Sequence, residues 1–137
     1  MHNGFIKLVL GAICFILISG CGKPVYQSDL IGTYTADYGA AKETLVIYKN
    51  GEFSQQVTLK SNSKGYSTRG KWQVNGPVDK GVSRIFFSDG FLSVLDGFSA
   101  LKPEIVPSNA SMPVLRLLGK IQIGGDPAIE YTQQLKP

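Results

Sequence analysis

Along the middle of the chain, apolar and polar positions alternate with a period of two. Leu45 and Ile47 alternate with Thr44 and Val46, and Phe53, Gln55, Val57 and Leu59 alternate with Ser54, Gln56 and Thr58. Successive side chains of a strand point to opposite faces, so this spacing predicts half-buried β-strands rather than helix. Asn50-Gly51 stands between the two runs. That dipeptide tolerates positive φ at both central residues of a type I′ turn, so a β-hairpin is expected over 43–60.

The same grammar of β-branched and aromatic residues closed by Gly, Asp or Asn recurs along the chain. It predicts further strands at 30–38, 67–74, 82–88, 91–95, 114–118, 120–123 and 129–135. Two connections are longer: a polar one at 61–66, and one at 97–113 that contains Pro103, Pro107 and Pro113. No segment offers a convincing amphipathic helix of ten residues. The expectation is an all-β domain over 29–137, an antiparallel meander barrel or sandwich of about eight strands.

The amino terminus breaks this pattern. An apolar run over 8–18 follows Lys7 and ends in Leu17-Ile18-Ser19-Gly20-Cys21. Eleven residues rise only about 16 Å as a helix, roughly half of a hydrocarbon core, which favours a signal h-region over a membrane span. Small residues at Ser19 and Gly20 fit a peptidase pocket, and the Cys21 thiol is the nucleophile that accepts a diacylglyceryl group. The segment resembles the signal peptides of bacterial lipoproteins. That resemblance implies a signal peptide at 1–20, cleavage before Cys21, acylation of its sulfur and a lipidated tether at 21–28. Two or three acyl chains hold a protein on a membrane almost permanently, at about 0.8 kcal/mol per buried methylene. Gly22 is not the aspartate associated with inner-membrane retention. The expected location is therefore the cell envelope, on the outer membrane facing the periplasm if the host is Gram-negative.

Cleavage would change the chemistry available. Of the 137 residues, 117 would remain once the first 20 are removed. His2 and Cys14 would leave with the signal, so the mature chain would hold no histidine and only the lipid-bearing Cys21. A histidine-based metal site, a Ser-His-Asp triad, a Cys-His pair and a disulfide are excluded on that basis. No cofactor and no metal are expected. Without Lys7, thirteen of the fourteen Lys and Arg would face ten Asp and Glu. The excess is spread out, with no basic cluster and no nucleic-acid motif, so nucleic acid is not expected as a partner.

Within the strand pattern, Gly32-Thr33-Tyr34 opens one strand, Thr44-Leu45-Val46-Ile47 and Asn50-Gly51-Glu52-Phe53 form the hairpin, and Gly70-Lys71-Trp72 begins another. This order, over about 30–87, resembles small lipocalin-like lipoproteins of the bacterial envelope. The resemblance implies a barrel and a small apolar or amphipathic ligand inside it. The chain lacks the Cys-x-x-Cys pair of copper-handling members. Read from the residues alone, glycine lets a strand bend while Tyr34 or Trp72 plugs one barrel end.

Asp89-Gly90-Phe91 and Asp96-Gly97-Phe98 repeat seven residues apart. The Asp-Gly pairs read as turns flanking a short strand. A sharper reading makes Asp89, Asp96 or Glu104 acid catalysts of a hydrolase or lyase acting on envelope glycans. The segment 97–113 carries Phe98, Leu101, Ile105, Val106 and Met112, which either plug an open barrel end or form a partner surface. Trp72, Phe98, Leu101 and Ile105 are the candidate ligand or partner contacts, and Cys21 is the lipidation site. The favoured expectation is a non-catalytic, membrane-anchored lipoprotein that binds a small hydrophobic ligand or an envelope protein.

Overall fold

The computed structural model describes residues 23–76, 80–94, 104–105, 110–125 and 129–136. The signal segment, Cys21, Asp96, Phe98 and Leu101 lie outside the described residues. A 3-10 turn, Gln27–Leu30, precedes strands β1 (Gly32–Asp37), β2 (Ala41–Ile47), β3 (Glu52–Leu59), β4 (Gly65–Val74) and β5 (Arg84–Ser88). Two short strands follow, β6 (Leu92–Ser93) and β7 (Glu104–Ile105), and then β8 (Ala110–Leu117), β9 (Lys120–Gly124) and β10 (Glu130–Gln133).

Eight of these strands close into an antiparallel barrel in the order β1-β10-β9-β8-β5-β4-β3-β2, with β2 returning to β1. The architecture is all-β, as the period of two predicts, and of the two expected forms, barrel and sandwich, it is the barrel. Alternation puts Leu45, Ile47, Phe53, Val57 and Leu59 inside, each at most one per cent exposed; the first three meet Tyr34, Ile85, Phe87, Ile121, Ile123 and Tyr131, and Val57 and Leu59 pack with Ala41, Leu92 and Val94. Because β1 pairs with both β2 and β10, the strand order closes and none of the eight strands is a terminal edge strand.

The strand directions define two ends. The chain enters at one of them, through the 3-10 turn, beside the β2–β3 and β8–β9 turns, residues 80–83 and the carboxyl-terminal residues 134–136. Val25 and Leu30 are buried there, Val82 N–H donates to the Val25 carbonyl at 2.7 Å, and the Tyr34 hydroxyl donates to the Leu30 carbonyl at 2.8 Å. The folded body thus begins before residue 29, because Val25 is an apolar residue inside the supposed tether. Trp72 seals the same end, with its indole N–H donating to the Tyr48 carbonyl at 2.8 Å.

Three further sequence expectations need correction. The β2–β3 turn is not type I′. Gly51 has φ +84, whereas Asn50 is absent from the residues with positive φ. Gly51 N–H donates to the Tyr48 carbonyl at 3.3 Å and Tyr48 N–H to the Glu52 carbonyl at 2.9 Å, which describes a three-residue loop with a glycine bulge. Asn50 acts through its side chain instead, accepting from Glu52 N–H at 3.1 Å. Positive φ at both central residues occurs at Leu118 (φ +49) and Gly119 (φ +79), between β8 and β9.

The second correction concerns 91–95, which is not a wall strand. After Asp89, at φ +64, the chain turns inward, and Leu92–Ser93 pairs with Glu104–Ile105 apart from the barrel. The third is the long connection, since β7 and the start of β8 fall within 97–113. Pro113 sits inside β8 because Val114 N–H points toward β5, donating to the Ser83 carbonyl at 2.9 Å. The Pro113 nitrogen therefore faces β9, where pairing begins only at Val114 opposite Ile123.

Candidate functional site

Two residues break the apolar lining of the barrel, and the fold brings them together. Glu43 lies in phase with Leu45 and Ile47 on β2, and Gln55 in phase with Phe53 and Val57 on β3. They are two and zero per cent exposed. Leu45 is directly opposite Gln55, and Val57 opposite Glu43, so the two polar side chains sit diagonally on the inner face. Ala36 of β1 faces Glu43 across the next ladder. Its small side chain leaves room for Tyr131 to reach Glu43 from β10, beyond β1.

Every donor in this cluster points at the carboxyl group. The Tyr38 hydroxyl donates to Glu43 Oε1, and the Tyr131 hydroxyl to Glu43 Oε2. Gln55 Nε2 donates to Glu43 Oε2 at 2.9 Å and also lies 3.1 Å from the Tyr131 hydroxyl. Burial, followed by the charge and hydrogen bond of Glu43, raises the Tyr131 hydroxyl well above its ordinary value of 10.0, so it stays a donor. Among the described residues, no salt bridge reaches Glu43.

Gln55 has a second task. Its amide accepts from Leu92 N–H at 2.8 Å through Oε1 and donates to the Leu92 carbonyl at 2.9 Å through Nε2. A side chain of the wall thereby imitates a neighbouring strand for residue 92. Beside it, Phe91 stacks on Phe87 at a centroid distance of 4.9 Å and tilts against Phe53 at 6.0 Å. Gly70 makes the crossing possible, since a Cβ there would lie 2.2 Å from the Ser88 carbonyl oxygen and 2.7 Å from the Phe53 ring. Residues 88–94 are thus a strap over the barrel end opposite the chain's entry, packed through Leu92 and Val94 on Ala41, Val57 and Leu59.

Asp37 and Asp89 lie outside this cluster. Asp37 at the strap end takes Lys60 Nζ at 2.5 Å and Lys42 Nζ at 3.7 Å, and the Lys60 hydrogen bond holds its carboxyl below the usual range. Asp89 is exposed in its turn, and Glu104 is placed by the backbone of β7. No group of three or more metal-ligating side chains forms among the described residues.

Of the contacts expected from sequence, Trp72 is buried and Ile105 pairs with Leu92 in the strap, whereas Phe98 and Leu101 lie outside the described residues. The polar centre of Glu43, Gln55, Tyr38 and Tyr131 was not singled out. Its signal was present in the phase: a glutamate and a glutamine on the inward parity of two apolar strands.

Outside the barrel, a groove of about 640 Å³ follows the outer face of β2, β3 and β4. Thr44, Tyr48, Ser54, Gln56, Ser67 and Arg69 line it with hydroxyl, amide and guanidinium groups, and the Tyr48 hydroxyl lies 3.1 Å from Ser54 Oγ. Comparison with protein-family models, curated proteins and solved structures finds no match to this chain.

Proposed function

We propose that this chain is a non-catalytic lipoprotein of the bacterial envelope, held on a membrane through acylated Cys21, whose barrel presents its outer surface to a protein partner. The observation that carries the binding reading is the employment of the interior polar centre. Both oxygens of Glu43 are engaged by Tyr38, Tyr131 and Gln55, and Gln55 is in turn spent on Leu92. These side chains hold the strap rather than waiting for a substrate. The aromatic rings of Phe53, Phe87 and Phe91 pack with Leu45, Ile85 and Ile123 in the apolar interior, which shifts the expected contact from the lumen to the outer groove beside Tyr48 and Arg69.

The anchor reading is tested by metabolic labelling with a palmitate analogue in the native host. Wild type incorporates label and Cys21→Ala does not; label in the variant, or none in the wild type, refutes the anchor. The binding reading is tested by crosslinking in the envelope with Arg69→Glu as the comparison. An adduct present in wild type and lost in the folded variant is the expected result. Glycan or peptide cleavage abolished by Asp89→Asn would replace it with an enzymatic reading.

A further inference from the structure

The large apolar side chains exposed to solvent are distributed unevenly. Among the described residues they are Tyr26, Ile31, Tyr48, Leu115, Leu117, Leu118 and Leu135. Tyr26 and Ile31 flank the 3-10 turn, Tyr48 stands in the β2–β3 turn, and Leu135 follows β10. Leu115 and Leu117 lie on the outward parity of β8 and lead to Leu118 at the hairpin tip. All these segments belong to, or lead into, the end at which the chain enters the barrel.

Leu118 is the extreme case. It is 94% exposed, and it holds the left-handed conformation that disfavours a side chain with a Cβ. An asparagine or glycine would suit that turn better, and water is a poor environment for the side chain. Both costs are offset if the tip enters an apolar medium.

The charges of the same end agree. Lys23, Lys49, Lys80, Lys120 and Lys136 are exposed there, and no ion pair engages them among the described residues. Asp29 is occupied by Arg116 at 2.9 Å, and Glu52 accepts from Asn50 Nδ2 at 2.7 Å. At the opposite end Lys42 and Lys60 are paired with Asp37, and Lys64 is the exposed lysine there that no ion pair engages among the described residues. Unpaired lysines around protruding leucines fit a surface that is anionic outside and apolar within.

We infer that the entry end of the barrel rests on an anionic lipid bilayer, with the Leu117–Leu118 tip inserted at the headgroup boundary and the lysines on lipid phosphates. The inference rests on the anchor reading for Cys21, because the tether enters the fold at this same end through Lys23 and Pro24. It fixes an orientation: the strap end and its polar centre face away from the membrane.

The test uses the full-length protein purified from its host, with Leu118→Cys carrying an environment-sensitive fluorophore and Asn62→Cys, in the loop at the strap end, as control. Both are reconstituted in phosphatidylethanolamine vesicles with and without phosphatidylglycerol. Emission at 118 is expected to shift to the blue and to be quenched by nitroxide-bearing lipid, while 62 stays unquenched. Replacing Lys120 by Gln is expected to weaken vesicle binding of unacylated chain about fivefold in the phosphatidylglycerol series. Equal quenching at both positions, or none at 118, overturns the orientation. A mass spectrum of the same sample reads the acyl chains separately. Acylated protein unquenched at 118 overturns the docking and leaves the anchor standing. Unacylated protein overturns the anchor, and its quenching at 118 still decides the docking.

Discussion

Phe91 and Leu92 are adjacent in the strap and are held by opposite means. Phe91 enters a cluster of rings with Phe53 and Phe87, a contact that depends on area and tolerates small shifts. Leu92 is held through its backbone by the two ends of one amide, a contact that tolerates neither a shift nor a rotation. The aromatic half supplies the larger part of the strap's stability, and the polar half sets its register. Such a division explains a buried carboxyl in a small core: Glu43 orients Gln55, and Gln55 selects residue 92.

The largest effect expected from this contrast is that of Phe87→Ala, which removes the ring stacked on Phe91. It should cost about 3–5 kcal/mol, read as a lowered urea midpoint. A loss below about 1 kcal/mol would show that the rings do not carry the strap. Next comes Gln55→Leu, which leaves the Leu92 N–H and carbonyl without partners and should cost about 1–3 kcal/mol. Hydrogen exchange at the Leu92 amide should accelerate in that variant. If the two halves act together, a double-mutant cycle of Gln55→Leu with Phe91→Ala should show coupling of at least about 0.5 kcal/mol. Additivity would break the comparison into two independent anchors.

Two buried tyrosines, Tyr34 at the entry end and Tyr131 in the polar half, provide a pH test. Burial raises the hydroxyls of Tyr34 and Tyr131 above the ordinary value of 10.0. Unfolded chains lose these protons first, so the native state binds more protons above pH 10. Their contribution is complete below the unfolded value and is lost as pH rises through the folded ones, by up to about 1.4 kcal/mol per pH unit for each tyrosine. Tyr131→Phe should flatten the alkaline limb of a stability–pH profile. A profile that is level above pH 10 in the wild type would contradict it. The smallest expected change is at the other end of the barrel, where Leu118→Asn should raise stability by roughly 0.5–1 kcal/mol by relieving the left-handed leucine. A measurable loss on thermal unfolding would mean that Leu118 contributes contacts of its own.

The wall of the barrel was legible because period-two alternation states directly which face is buried. Leu45, Ile47, Phe53, Val57 and Leu59 could be placed inward from their spacing alone. The turn type was not legible. Asn50-Gly51 favours a two-residue turn, but the Asn50 side chain bonded to Glu52 N–H supports a three-residue one equally well. The polar centre was written in the phase of Glu43 and Gln55, yet its meaning depended on Tyr131, 88 residues from Glu43 along the chain, and on a strap whose path no local pattern specifies. The apolar rim at the entry end was hidden for a related reason: Tyr26, Tyr48, Leu118 and Leu135 are scattered in sequence and meet only through the topology.

Closure of the barrel by its first and last strands also sets the order in which the molecule can fold. Tyr34 pairs with Gln133, 99 residues later, and no other ladder in the wall joins positions so distant. Bringing such ends together costs about 4 kcal/mol of chain entropy, which only the finished β1–β10 ladder and the Tyr131 hydroxyl on Glu43 repay. Until the final strand docks, β1 and β9 each present an open edge, and Glu43 lacks one of its donors. Residues 130–133 therefore act as a latch: chains that lack them have most of the sheet but remain competent to join one another.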